Sequence, residues 1–243
     1  MEYARRNTVA VQLAEPASGK RILDVGCDWG YACMRAAQAG AEAWGVDIDQ
    51  NSVHFGKQLA AANHLSINLQ YGNARSLPFP DEYFDAITAI ETIEHVPLTD
   101  RSAAFNEMSR VLKPGGRIVI TTPNPNGLAE LGKRLLGRSA FMRRRFYGSY
   151  HDEQRTKVFP TGDMMVDVLM TGKELLAYAA QAGLTLQESC RIVFVTKFLP
   201  EWLLFPARLA EWLLERMPVI RQLASTSVYV LAKRRQSLQQ KTA

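Results

Sequence analysis

Long apolar runs, paired cysteines and internal repeats are all missing from this sequence. No uncharged apolar stretch reaches the roughly 18 residues that a membrane-spanning helix needs. Residues 1–20 also lack a long apolar core, so we expect no signal peptide. Cysteine occurs only three times, at Cys27, Cys33 and Cys190, without the spacing of a metal site. These absences predict reduced thiols and a cytoplasmic protein, bound to a membrane at most through its surface.

Excess charge is also scarce. The 243 residues include 29 Lys and Arg against 24 Asp and Glu, a formal net charge of +5. Such a small excess permits an acidic partner or an anionic membrane surface but does not demand nucleic acid. The hydrophobic fraction of 47% is that of an ordinary globular domain.

Short β-rich runs alternate with helical patterns from residue 21 to residue 123. This rhythm predicts an α/β fold with a doubly wound, mostly parallel sheet. After Pro125 it breaks, and we predict no strand within 126–170. Thr171 and Glu174 predict a capping box at the start of a helix over 171–183. The predicted strands cover residues 21–26, 42–48, 67–72, 85–90, 117–123, 184–195 and 226–234.

The first strand–helix turn, DVGCDWG, has the character of a ligand-binding loop. Gly26 and Gly30 let the backbone approach a ligand closely, and Asp47 ends the next strand, where a carboxylate can bind ribose hydroxyls. A dinucleotide fingerprint would need glycine where the chain has Asp28 and Tyr31. A nicotinamide enzyme is therefore the weaker interpretation.

The motifs together resemble class I S-adenosylmethionine-dependent methyltransferases. ILDVGCDWG is similar to their first motif, GVDI to their second strand end, GNARSLPF to the segment around adenine, and LKPGGRIVITTPN to their fifth strand. The resemblance covers about residues 20–125 and implies a Rossmann-like, seven-stranded sheet whose last strand is antiparallel. It implies S-adenosyl-L-methionine as cofactor. The cofactor-binding residues that follow from it are Asp24, Gly26, Asp28, Gly30, Asp47, Ile48, Asn73, Ala74 and Glu91.

The segment ETIEHV, after the fourth strand, has two interpretations. In a helical turn, Glu91, Glu94 and His95 would share one face and could bind Mg²⁺ or Mn²⁺. E-x-x-E-H here is similar to ubiquinone-biosynthesis O-methyltransferases and small-RNA 2′-O-methyltransferases, which implies a metal with His151 as a further ligand. His95 and Glu94 are the predicted catalytic residues. Without a metal, His95 would be a general base, and Glu94 would only favour the start of the helix.

Two segments beyond the core suggest contacts with substrate or membrane. Residues 131–146 interleave six cations with large apolar side chains, which favours a surface helix on anionic lipid. Residues 198–217 carry an aromatic stripe that could pack in the core or form a lid for a lipid-linked acceptor. We predict one domain over 1–243. Within it lie a cofactor-binding core (20–125), a helical, basic amphipathic insertion (126–170) and a C-terminal part with substrate lid and last strand (171–235).

Three functions are consistent with the sequence. The first is O-methylation of a small or lipid-linked hydroxylated acceptor, such as a phenol, quinol precursor or glycan, in the cytoplasm or at the inner membrane surface. The second is RNA 2′-O-methylation, against which the small net charge and the few aromatics for base stacking argue. The third is a non-catalytic cofactor-binding module, suggested by the carboxylate of Asp28 near the cofactor. The pattern names neither the acceptor nor the oligomeric state.

Overall fold

The alternating strands and helices form a sheet covered by helices on both faces. A computed structural model describes residues 2–127, 156–192 and 226–234 of the chain. The first part contains α1 (Glu2–Leu13), β1 (Arg21–Val25), α2 (Tyr31–Gln38), β2 (Glu42–Asp47), α3 (Gln50–Ala62), β3 (Asn68–Tyr71), β4 (Phe84–Ile90), a 3₁₀ helix (Ile93–His95), α4 (Arg101–Val111) and β5 (Leu112–Pro123). It is followed by β6 (Thr156–Val158), β7 (Met164–Val166), α5 (Gly172–Gln181), β8 (Leu184–Ile192) and β9 (Thr226–Lys233).

The main sheet has seven strands in the order β3-β2-β1-β4-β5-β9-β8. The pairs from β3 to β5 are parallel, whereas β9 runs antiparallel to both β5 and β8. The predicted Rossmann-like sheet with an antiparallel last strand is therefore confirmed. The strand order reverses between β1 and β4, and open α/β sheets bind ligands at the carboxyl ends of the strands beside such a reversal.

Alternate residues of the central strands feed two separate cores. On β5, Ile118 and Ile120 face one core while Val119 faces the other. The first core lies under α4 and α5, with Phe105 and Leu175 fully buried. The second lies under α1 and α2 and is built largely from alanine and cysteine, which lets these helices pack close to the sheet. Because helices cover both faces of the sheet, the sequences of its central strands are continuous apolar runs.

Two local predictions had different outcomes. The capping box is confirmed: the Thr171 hydroxyl accepts from Glu174 N, and the Glu174 carboxylate accepts from Thr171 N at 2.8 Å. The prediction of no strand within 126–170 is wrong, because β6 and β7 pair as an antiparallel hairpin. Each strand is only three residues long, and the hydrophobic pattern of such a short run is weak.

The edge of the sheet is irregular. β8 pairs with β9 with a register shift between Leu186 and Glu188, and its middle residues are mostly exposed.

Within the described ranges, no helix is long and apolar enough to cross a bilayer. The predictions for 131–146, for 198–217 and for His151 lie outside the described residues.

Candidate active site

The turn between β1 and α2 is built from left-handed backbone. Gly26, Asp28 and Gly30 have φ angles of 74°, 49° and 79°. A Cβ on Gly26 would overlap Thr92 Cγ2, so only glycine fits there. Asp28 occupies a conformation that glycine adopts most easily and that aspartate tolerates better than most residues. The turn thus needs Gly26 and accepts Asp28.

The Asp47 carboxylate joins this turn to the next one. Its Oδ2 accepts from Asp28 N at 2.8 Å, and its Oδ1 accepts from Asp49 N at 2.8 Å. Gly26 N and Cys27 N donate to Val46 O from the same turn. Burial raises the pKa of Asp47, although the hydrogen bonds from Asp49 N and Asp28 N oppose the rise. The carboxyl ends of β1 and β2 are therefore held as one unit.

Asp24 lies at the carboxyl end of β1 and is only 4% exposed. Thr88 on the adjacent β4 donates its hydroxyl to Asp24 Oδ1 at 2.6 Å. Burial raises the pKa of Asp24 to about 7, in spite of that hydrogen bond, and the nearby carboxylates add to the rise. Asp24 therefore changes charge near neutral pH, unlike an ordinary aspartate.

One cavity of about 510 Å³ opens at this edge of the sheet. Such a volume suits a small-molecule ligand. Gly30, the N-cap of α2, is not among the residues that line it. The sequence-predicted residues that line the cavity are Asp24, Gly26, Asp28, Asp47, Ile48, Asn73, Ala74, Glu91 and His95.

Glu91 closes one wall of the cavity together with α1. Its φ angle of 52° places it outside the helical turn that follows. Its backbone N donates to Thr121 O, and its carboxylate lies 3.4 Å from Arg6 Nη1. The side chains of this ion pair are only 15% and 16% exposed. An acid directly after β4 thereby holds α1 against the mouth of the cavity.

Glu94 is directed into the protein rather than toward the cavity. It is 1% exposed, and its Oε2 accepts from the Thr122 hydroxyl at 3.2 Å. Among the described residues, nothing donates to its Oε1. Burial, with a smaller contribution from the Glu91 charge, raises the pKa of Glu94 well above its usual value. Glu94 is not among the residues that line the cavity, and its catalytic role stays a prediction.

His95 lines the cavity and is half-buried. Its Nδ1 lies 2.9 Å from Val166 O on β7. Because a carbonyl oxygen only accepts, Nδ1 carries the hydrogen, and Nε2 of the neutral ring keeps its lone pair. The ring is thus prepared to accept a proton at Nε2.

The described residues do not support the predicted metal-binding face of Glu91, Glu94 and His95. Only residues 93–95 are helical, and the side chains of Glu91, Glu94 and His95 bond to different partners. No group of three or more His, Cys, Asp or Glu side chains in the described ranges is arranged to hold a metal ion. Glu91, Glu94 and His95 therefore do not fit a metal as a set, while the role of His151 stays a prediction.

Several residues of the cavity wall escaped the sequence analysis. Arg6 and Asn7 come from α1, which no motif marked. The β6–β7 hairpin adds apolar and charged side chains to the wall. The turn-forming residues PTGD between its strands were the sequence signal that could have revealed the hairpin. The hairpin residues in the wall are Lys157, Phe159, Met164 and Met165, followed by Asp167.

The cavity wall is acidic although the whole chain is basic. Among the residues that the structure describes, six carboxylates line it, from Asp24, Asp28, Asp47, Asp49, Glu91 and Asp167, against the two cations Arg6 and Lys157. Each cation already pairs with a carboxylate, Arg6 with Glu91 and Lys157 with Asp49. A concave site with this charge balance favours a cationic ligand.

Comparisons with known proteins agree on one family. A family model for a methyltransferase domain matches residues 23–120. A ubiquinone biosynthesis O-methyltransferase of Pseudomonas fluorescens is 30% identical over 172 residues, which cover 70% of this chain and 67% of that protein. The chain belongs to the S-adenosylmethionine-dependent methyltransferases.

Other relatives of this methyltransferase match over shorter stretches. A demethylmenaquinone methyltransferase of Geobacillus kaustophilus is 41% identical over 105 residues, 42% of this chain and 44% of that relative. The matches to the demethylmenaquinone methyltransferases thus span less than half of their length.

Solved structures support the fold. A methyltransferase from Methanosarcina mazei has a TM-score of 0.64 at 18% identity, covering 94% of this chain and 98% of that one. The cyclase SpnF has a TM-score of 0.61 at 22% identity, covering 95% and 81%. Since a cyclase shares this fold, the fold alone does not determine the chemistry.

The turn at Gly26 yields a stability test with an internal control. Gly26→Ala and Gly19→Ala both place a side chain on left-handed backbone, at a cost of about 1–2 kcal/mol. Only Gly26→Ala also clashes with Thr92, which we expect to add about 1–3 kcal/mol. Urea denaturation of the two variants measures the difference. Equal losses of unfolding free energy would contradict the tight contact.

Proposed function

We propose that this methyltransferase transfers the methyl group of S-adenosylmethionine to a hydroxyl oxygen of a small or lipid-linked acceptor, and that His95 is the general base. The observation that carries the proposal is the hydrogen bond from His95 Nδ1 to Val166 O. It leaves Nε2 as a proton acceptor on a residue that lines the same cavity as Asp24 and Asp47. An oxygen nucleophile needs such a base.

In this proposal the cofactor lies across the carboxyl ends of β1, β2 and β3. The methionine part is next to Asp24 and Gly26, the ribose next to Asp47, and the adenine next to Asn73 and Ala74. All five residues line one cavity, which supports the assignment. The left-handed turn at Gly26 keeps side chains away from the cofactor, and the Asp47 carboxylate is an acceptor for the ribose hydroxyls.

The acidic wall matches the charge of this cofactor. S-adenosylmethionine carries a sulfonium and an amino group against one carboxylate, a net charge of about +1, whereas the product S-adenosylhomocysteine has no sulfonium charge. Asp24, Asp28 and Asp47 are the acids beside the proposed methionine and ribose positions. Their field favours the reactive cofactor over the spent one.

The proposed reaction is a single displacement. The acceptor oxygen attacks the methyl carbon, the carbon–sulfur bond breaks, and the electron pair stays on sulfur as the neutral thioether. The proton of the acceptor hydroxyl moves to His95 Nε2. The protein contributes alignment, through the ordered turns at Gly26 and Glu91, and a partly enclosed site.

The acceptor side of the cavity suits a ring with an apolar body. Val96, Pro97 and Met165 line it near His95, and methionine adapts to ligands of different shape. Relatives named ubiquinone biosynthesis O-methyltransferase, at 28–38% identity, support a hydroxylated aromatic ring such as a quinol precursor. Contact of residues 131–146 with an anionic membrane, which would bring a lipid-linked acceptor to the site, stays a prediction.

The titration of Asp24 predicts a pH dependence of cofactor binding. In the free protein its pKa is raised to about 7, so at pH 6 most molecules must lose a proton before the carboxylate can face a sulfonium. Affinity for S-adenosylmethionine should therefore rise about tenfold between pH 6 and pH 8, with proton release on binding. Titration calorimetry in two buffers of different ionisation enthalpy measures both.

Asp24→Asn and S-adenosylhomocysteine are the controls. The variant keeps an oxygen that accepts from Thr88 but removes the titration, and the homocysteine product has the same amino group without the sulfonium. The affinity of Asp24→Asn for S-adenosylmethionine, and that of the wild type for S-adenosylhomocysteine, should both depend little on pH. An unchanged slope in Asp24→Asn would assign the titration to another group.

A variant of Asp28 tests whether its charge contributes to cofactor binding or whether the residue only forms the turn. Asp28→Asn keeps a residue that tolerates the left-handed backbone and keeps the N–H bonded to Asp47. Removing the charge should weaken the binding of S-adenosylmethionine by about fivefold, or about 1 kcal/mol. The affinity for S-adenosylhomocysteine should change little. The exposed Asp81→Asn serves as control for the same chemical change away from the cavity. Equal weakening of both ligands would count against the charge effect.

His95→Gln tests the base directly. We expect methyl transfer to fall by about 10²–10⁴-fold, because the hydroxyl proton loses its acceptor. The affinity for S-adenosylmethionine should stay close to that of the wild type. The assay follows a tritiated methyl group into catechol and into an alkylated catechol, with exposed His54→Gln as control.

Transfer by His95→Gln at the wild-type rate would refute the base. Methyl transfer by the wild type to RNA but to neither catechol would refute the acceptor class. Absence of S-adenosylmethionine binding would refute the enzymatic proposal as a whole.

A further inference from the structure

The β6–β7 hairpin lies between β5 and α5 along the chain. Its turn runs from Phe159 to Asp163, closed by Phe159 N donating to Asp163 O at 2.8 Å. Val158 and Met164 are 66% and 43% exposed, so the hairpin buries little apolar surface apart from Phe159. A two-stranded hairpin of this size is marginally stable by itself. Its position must therefore come from specific contacts.

Asp163 makes the densest of these contacts. It is 7% exposed and accepts from the Tyr71 hydroxyl, from Asn73 Nδ2 at 2.7 Å and from the Thr161 hydroxyl at 2.9 Å. Burial by itself would raise the pKa of Asp163, but these three hydrogen bonds outweigh it and hold the pKa below its usual value. The ionised carboxylate is thus fixed to the end of β3 and to the segment proposed to surround adenine.

The described ion pairs of the hairpin are weaker than these hydrogen bonds. Arg75 Nη2 lies 3.9 Å from Asp163 Oδ1, and the Arg75 side chain is 51% exposed. Lys157 Nζ lies 3.5 Å from Asp49, with side chains 47% and 24% exposed. Pairs this exposed contribute about 0–1 kcal/mol. Asp163, with three donors in a buried setting, is therefore the main anchor.

The far end of the hairpin is joined to His95. Three residues after Asp163, the Val166 carbonyl accepts from His95 Nδ1. Val168 N donates to Glu94 O at 3.0 Å, and Arg101 donates to Val168 O. Three residues of extended chain span about 10 Å. Asp163 and the Val166 carbonyl are therefore connected by one short, extended segment.

We propose that Asp163 is a positioning residue for methyl transfer: by fixing the hairpin to Tyr71 and Asn73, it holds the Val166 carbonyl against His95 Nδ1 and so sets the tautomer and direction of the base. This rests on the proposed role of His95. The same carboxylate bonds Asn73, which lines the proposed adenine position, so the cofactor segment and the base share one anchor. Asp163 itself is not among the residues that line the cavity.

Two variants loosen the anchor by different amounts. Asp163→Asn removes the charge and replaces one acceptor oxygen with an NH₂ group, which cannot accept from the three donors around it. Tyr71→Phe removes one donor, leaves Asn73 bonded to Asp163, and changes a side chain that is 41% exposed, so folding is not at risk. Tyr83→Phe, which removes a hydroxyl at a distance from the hairpin, is the matched control. Asp163→Glu tests whether a displaced carboxylate restores function in part.

The primary readout is the tautomer of His95. Long-range ¹H–¹⁵N spectra of ¹⁵N-histidine protein should assign the hydrogen to Nδ1 in the wild type and in Tyr83→Phe. In Asp163→Asn the Nε2–H form should appear. A hairpin with only a structural role would leave the tautomer unchanged.

The second readout is kinetic. With catechol as acceptor, kcat should fall about tenfold or more in Asp163→Asn and severalfold in Tyr71→Phe, because a base displaced by about an ångström loses much of its effect. The affinity of Tyr71→Phe for S-adenosylmethionine should equal that of the wild type. Asp163→Glu should lie between Asp163→Asn and the wild type.

The outcomes separate the two proposals. If the wild type binds the cofactor and methylates catechol while both anchor variants keep its kcat and tautomer, the anchor proposal alone is overturned. If the wild type neither binds the cofactor nor transfers methyl, the proposed function fails. The tautomer measurement then still decides whether Asp163 controls His95. Should Asp163→Asn not fold, Tyr71→Phe carries both readouts.

Discussion

The carboxylate of Asp47 is the interaction on which the cofactor edge of the sheet depends. By accepting from Asp28 N and Asp49 N, it fixes the turns after β1 and β2 relative to each other. Left-handed backbone at Gly26 and Asp28 is then held in place by hydrogen bonds to β2. The site is therefore ordered before any ligand arrives, which reduces the conformational entropy lost on binding.

The three polar residues of ETIEHV take three separate tasks. Glu91 pairs with Arg6 and secures the first helix, Glu94 is buried as an acid with a raised pKa, and His95 reaches the cavity. The left-handed φ of Glu91 is the cause, because it breaks the helical phase that would align the three side chains. One backbone angle therefore decides between a shared ligand face and divided roles.

Much of the fold follows from pattern alone, and the site follows in part. The buried strands, the glycine turn and Asp47 are predictable because burial on both faces and a close backbone approach leave strong local signals. The direction of Glu94 and the contact between His95 and Val166 are not predictable, since the bonded residues are 28 and 71 positions apart. Asp163, 90 positions from Asn73, escapes for the same reason, and a three-residue strand such as β6 has too few positions to show a period.

The outer strand β8 has a consequence for behaviour at high concentration. A straight edge strand offers a row of evenly spaced donors and acceptors to which another molecule can add a strand. The register shift between Leu186 and Glu188 interrupts that row, and the mostly exposed middle of β8 includes a charge at Glu188. Both features discourage intermolecular β-pairing along the described residues of β8.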